Sequence, residues 1–207
     1  MSSVVSSFKF FWEVFVTLLV ITDPPGIVPV FLGMTKGRPA RERNRLAGQA
    51  AFVAFGVIVA FALFGRSILA YLGVELPSLQ AAGGLLLLLV ALELLTGKAA
   101  DPVELEQNQA NVAFVPLGTP LLAGPGAIVA TMLFVQRASS IGDKAAFAAA
   151  IVAVAAALWL AMRFSGAILR VLRYSGVELL TRIAGLLLSA IAVQLIVDAV
   201  RVLVNQG

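Results

Sequence analysis

Asp23 stands among prolines and a glycine in "TDPPGIVPV", directly after the apolar run "FFWEVFVTLLVI". A carboxylate there can hold a cation, grip an ammonium group or carry a proton. A charge near the middle of a bilayer costs at least about 2.5 kcal/mol on insertion scales, which makes Asp23 a functional candidate. Farther along, "GTPLLAGPGAIV" repeats the prolines and glycines without the acid. Proline removes a donor and clashes with the preceding turn, so both stretches free backbone groups from a helical ladder. Half-helices starting near Gly26 and Gly126 would present amides and a positive dipole end to an anionic group. The candidate substrate-binding residues are therefore Thr22, Asp23, Pro24, Pro25 and Gly26 in the first stretch, and Thr119, Gly124, Pro125 and Gly126 in the second. Two plainer readings stay open: each stretch is a kink tolerated by neighbouring helices, and Asp23 is an N-cap with Pro24 at N1.

Glu93 lies in "VALELL", which aligns with "IAVQLI" around Gln194, so an ionisable group in one place faces an amide in the other. Asp23, Glu93 and Gln194 form the candidate ion-coupling set, with a proton or a sodium ion as the coupled species. Glu93 has a second reading, a side chain snorkelling beside Lys98 at the helix end. Asp198 with Arg201 reads as an interfacial pair, and Gly83, Gly84 and Gly185 as points of close helix approach. The chain has no cysteine and no histidine. Disulfides, thiolate metal sites and histidine relays are thereby excluded, and with no paired catalytic acids neither an enzyme, a metal site nor a cofactor is expected.

The elements that must carry these residues are membrane spans. Of the 207 residues 60% are hydrophobic and 13% charged, a balance far from that of soluble domains. Six apolar segments follow one another, at about 8–34, 46–72, 76–95, 111–135, 145–169 and 177–203. The first has only Lys9 ahead of it and no small-residue cleavage pattern, so it reads as a span and not a cleaved signal. Lys36, Arg38, Arg41, Arg43 and Arg45 form the densest basic cluster, which places that loop in the cytoplasm and both termini outside. The basic residues fall in short loops and form no soluble face for nucleic acid.

Three ordered matches divide the chain: "YLGVEL" with "YSGVEL", "PGIV" with "PGAI", and "GLLLLLVALELL" with "GLLLSAIAVQLI". The expected fold is an all-α membrane protein, a single transmembrane domain of six helices in two three-helix repeats. The repeats cover about 8–96 and 111–204, with an acidic cytoplasmic loop at about 97–110 between them. An odd number of spans per unit inverts the second unit, and the first helix of each is broken. Paired interrupted spans in inverted repeats are the best sequence pointer to a transporter site.

"DPPGIVPVF", "FVPLGTPLLAGPGAI" and "AGLLLSAIAVQLIVDAV" together resemble the MarC family of six-span inner-membrane proteins, over essentially the whole chain. The resemblance implies a "multiple antibiotic resistance related" membrane protein, in a family that includes ion-driven transporters of small neutral amino acids such as glycine and alanine. The expectation is a secondary transporter in the cell inner membrane, working by alternating access on a small-molecule substrate, and a homo-oligomer fits it as well as a monomer. The alternative is a membrane assembly or chaperone-like subunit that transports nothing.

Overall fold

A computed structural model describes residues 2–96 and 123–206. The described chain is helical: α1 (Ser2–Thr22), α2 (Pro24–Met34), α3 (Ala40–Leu72), α4 (Leu76–Thr96), α5 (Pro125–Arg137), α6 (Ile141–Arg163) and α7 (Ser165–Gln206). Five stretches are long and apolar enough to cross a membrane, α1 and α2 counting as one, and α5 is a shorter apolar helix. The expected first half of the fourth span, the 97–110 loop and Thr119 lie outside the described residues.

Local chemistry sets the ends. α3 stops where Gly73 takes φ 66°, and its amide and that of Val74 return to Ala70 and Leu69 carbonyls. α6 begins with a capping box. Ser140 Oγ accepts from the Asp143 amide at 3.0 Å, and Asp143 accepts in return from the Ser140 amide at 3.2 Å. Ser7 Oγ donates to the same Asp143 carboxylate at 3.0 Å, which ties the start of α1 to the start of α6. Several boundaries differ from the sequence expectation. α3 begins at Ala40, because the basic "RERNR" continues the helix, and the fifth span ends at Arg163. The connection around Arg170 is helical, and the chain breaks at Arg173 (φ 56°, ψ 175°) inside α7.

α3 presents Ala47, Ala50, Ala51, Ala54 and Ile58, all buried, at helical spacing. Small side chains there allow α6 to approach closely, as is usual between membrane helices. One large core joins this face to Val14 and Leu18 of α1, Ile27 and Phe31 of α2, and Ala127 and Phe134 of α5. A second, smaller core pairs Leu87 and Ala91 of α4 with Leu188 and Ala192 of α7.

The glycines expected at close approaches are found there. A Cβ on Gly84 would lie 2.9 Å from the Ala192 carbonyl oxygen and 2.7 Å from Ile196, and one on Gly185 would lie 3.1 Å from the Ala91 carbonyl oxygen and 3.2 Å from Leu95. Those pairings make α4 and α7 antiparallel. A Cβ on Gly83 would meet Val129 of α5 at 2.6 Å. Outward from these cores the surface is apolar: Phe52, Leu63, Leu85, Val152 and Leu186 are each more than half exposed. So much uncovered large apolar surface suits a lipid solvent and not water.

Candidate functional site

The break between α1 and α2 is built by three consecutive residues. The Asp23 amide still donates to the Leu19 carbonyl at 3.1 Å, and the Ile27 amide donates to the Asp23 carbonyl at 3.2 Å. Between them Pro24 and Pro25 have no N–H, so the Val20 and Ile21 carbonyls lose the donors a continuous helix would supply. Asp23 itself turns through the left-handed region, φ 39° and ψ 68°. That conformation costs an L-residue roughly 1–2 kcal/mol, least for Asp and Asn.

Asp23 occupies the N-cap position of α2 with Pro24 at N1, as the plainer reading has it, but its side chain makes no capping hydrogen bond. It is only 6% exposed. The carboxylate faces the Gly26 amide and the Thr181 hydroxyl of α7. Neither contact has hydrogen-bond geometry, and both Asp23 oxygens and Thr181 Oγ1 are buried without a partner. Gly26 is required here, since a Cβ on it would collide with Asp23 Oδ2. Thr22 is buried beside it, and its hydroxyl is engaged with its own helix, donating to Leu18 O at 2.9 Å.

Asp23, Pro24 and Pro25 line one side of a cavity of about 300 Å3, whose other walls are Leu19 and Val20, Ala157 of α6, and Leu180, Ile183, Ala184 and Leu187 of α7. A buried acid without a partner is costly, and in a native structure it marks a ligand, a proton or a strain site. An acid at this place and no base beside it among the described residues would suit a positive group and not an anion. The one amide a helix N-terminus offers after two prolines, that of Gly26, already faces a carboxylate.

The start of α5 differs. α5 starts at Pro125 with Gly124 as N-cap, whose carbonyl accepts from the Ala127 and Ile128 amides at 3.0 and 3.2 Å. No acid stands at this cap. Gly126 is buried, and a Cβ on it would run into Leu87 of α4. The two half-helices share the large core, through Ile27 and Phe31 on one side and Ala123 and Ala127 on the other. Gly124 and Gly126 nevertheless do not line the cavity at Asp23.

Glu93 and Gln194 are separated by the fold. Glu93 is exposed three residues before the end of α4, lines neither described cavity, and its expected neighbour Lys98 lies outside the described residues. Gln194 lines a second groove of about 310 Å3 between α1, α5 and α7. Its Nε2 donates to Asp198 Oδ1 at 2.8 Å, so Asp198 is held by Gln194 and not by the expected Arg201. The same groove holds an ion pair, Arg137 to Glu13 at 3.2 Å, with Thr17 beside it.

The sequence reading passes over Glu13, Arg137, Thr131 and Thr181. Glu13 carries the same signal as Asp23, an acid within an apolar span, and the same rule finds it. Thr131, wholly buried without a partner in α5, and Thr181 are threonines in apolar helices, where a hydroxyl usually bonds its own backbone. Nothing in the sequence marks these two as exceptions.

Among the described residues no three His, Cys, Asp or Glu side chains group as metal ligands. Long apolar helices, a lipid-suited surface and an acid buried at a helix break define the class: an integral membrane protein with an interrupted span. The family model described as "MarC family integral membrane protein" matches residues 8–204, and the chain belongs to that family. The UPF0056 membrane protein MJ1677 of Methanocaldococcus jannaschii is 37% identical over 198 residues, covering 93% of this chain and 97% of that one. The UPF0056 membrane protein YhcE of Escherichia coli K12 is 34% identical over 94% of this chain and 93% of its own. YvbG of Bacillus subtilis 168 is 33% identical over 91% and 93%. No solved structure matches the chain.

Proposed function

We propose that this MarC-family protein is a secondary transporter of small zwitterionic solutes, neutral amino acids of the size of glycine and alanine. It works by alternating access and is coupled to a proton or sodium gradient. The observation that carries the reading is the unpartnered Asp23 carboxylate, buried at a helix break beside a cavity of about 300 Å3 that the residue helps to line. Ligand pockets start at roughly that volume, so the cargo is small. An ammonium group or coupling cation there meets the carboxylate, the unpartnered Thr181 hydroxyl and the nearby Val20 and Ile21 carbonyls.

Reciprocal packing supports the inverted duplication on which alternating access depends. Gly84 meets Ala192 and Ile196, while Gly185 meets Ala91 and Leu95, and each first-half residue lies 101 positions before its counterpart. Such repeats place the transport site at their interface. The basic α2–α3 connection supports a cytoplasmic loop there, both termini outside and residence in the inner membrane.

Thermal unfolding of the purified protein tests binding directly, because a ligand of the folded state raises its apparent stability. Glycine and alanine raise the midpoint, and Asp23→Asn, still unfolding cooperatively, loses the shift. An unshifted midpoint with every small zwitterion, or a shift retained by Asp23→Asn, defeats the assignment and leaves the non-transporting subunit as the reading.

A further inference from the structure

One face of α7 lines both cavities. Leu180, Ala184 and Leu187 border the space at Asp23, and Ile191, Gln194 and Asp198 border the second groove. Their separations alternate between four and three residues, which is a single stripe along a helix. α1 also serves both, with Val20 at the Asp23 cavity and Thr17 and Glu13 at the groove. Between the two, Val20 packs against the α4–α7 core that Leu87, Ala91, Leu188 and Ala192 form.

The groove is charged in a way a lipid-facing surface is not. The Arg137 and Glu13 side chains are 54% and 47% exposed although Glu13 lies within an apolar helix. Half-exposed charges on a membrane span need water or a polar cavity. Glu13, Asp198 and Arg137 leave one negative charge in excess, which disfavours a simple anion. A zwitterion can exchange with the existing pair, its carboxylate on Arg137 and its ammonium on Glu13 or Asp198, so that no charge is left alone.

We propose that the groove between α1, α5 and α7 is a water-filled vestibule on the membrane face that carries both chain termini, where small zwitterions bind before passing along the α7 stripe to Asp23. This rests on the transport reading for its destination, but not for its detection. The chain contains no cysteine, so a single introduced thiol is read against a blank background. Thr17→Cys and Gln194→Cys place a thiol in the groove, while Val193→Cys and Leu186→Cys place one on the other side of α7, where both residues are exposed.

In proteoliposomes, a membrane-impermeant maleimide added on the terminal side labels the two groove positions at least about tenfold faster than the controls, since thiolate formation needs water. Glycine or alanine slows that labelling, and acetate does not. Groove labelling no faster than at Val193→Cys, labelling only from the opposite side, or labelling that no zwitterion slows overturns the proposal. Uptake of labelled glycine by the unmodified protein is measured in parallel. Failure of uptake alone counts against transport, and failure of labelling in variants that still take up glycine counts against the vestibule.

Discussion

The starts of α2 and α5 use one device for different chemistry. Each helix starts at a proline inside the apolar part of the molecule, and each needs a glycine two or fewer residues farther on. At the first, the glycine makes room for a charge: Gly26 yields to the Asp23 carboxylate. At the second, it makes room for a neighbouring helix: Gly126 yields to Leu87. Breaking a membrane helix is thus not itself a binding site. The side chain that occupies the space the glycine leaves decides what the break can do.

Alanine substitutions sharpen this contrast. Gly26→Ala pushes Asp23 out of place, and since a hydrogen bond to a charged group is worth about 1.5–3 kcal/mol, glycine affinity falls by about tenfold or more while the unfolding midpoint moves little. A large loss of midpoint with unchanged affinity in the remaining folded protein would erase the distinction. Gly126→Ala overpacks the α4–α5 contact and costs about 1–3 kcal/mol of stability. Denaturant unfolding measures it, and Leu87→Ala in the same chain recovers part of the loss; no recovery would mean that Leu87 is not what the glycine accommodates.

Thr181→Val removes a neutral hydroxyl beside the carboxylate, worth about 0.5–1.5 kcal/mol, so KM for glycine rises up to about tenfold and Thr181→Ser restores it. The smallest effect is expected at Thr22. Its hydroxyl is already bonded to Leu18 O, so Thr22→Val changes stability and KM by no more than about 0.5 kcal/mol each. A larger effect at Thr22 than at Thr181 would reverse the order of the two threonines at the site.

Much of the architecture was legible because its signals are local. Hydropathy marks the spans, the prolines mark the break at Asp23 and the start of α5, and Gly83, Gly84 and Gly185 mark close approaches that α4, α5 and α7 do make. The alignment of Glu93 with Gln194 is a sound observation about sequence, yet it does not say what each side chain faces, and only Gln194 lines a described cavity. Thr181 could not be found in this way. It meets Asp23 across about 158 residues of chain, through the packing of α2 on α7, and no local pattern encodes that meeting. Glu13 is the opposite case: the signal was present in the first span, and the groove with Arg137 gives it a place.

The central claim is that the unpartnered Asp23 carboxylate handles the cargo's positive charge. Uptake of labelled glycine into proteoliposomes, compared between the unmodified protein and an equal amount of folded Asp23→Asn, measures it most directly. The account predicts gradient-driven uptake that falls by about thirtyfold or more in the variant, the scale for losing one partner of a buried charge pair. Equal uptake by the two proteins would contradict it.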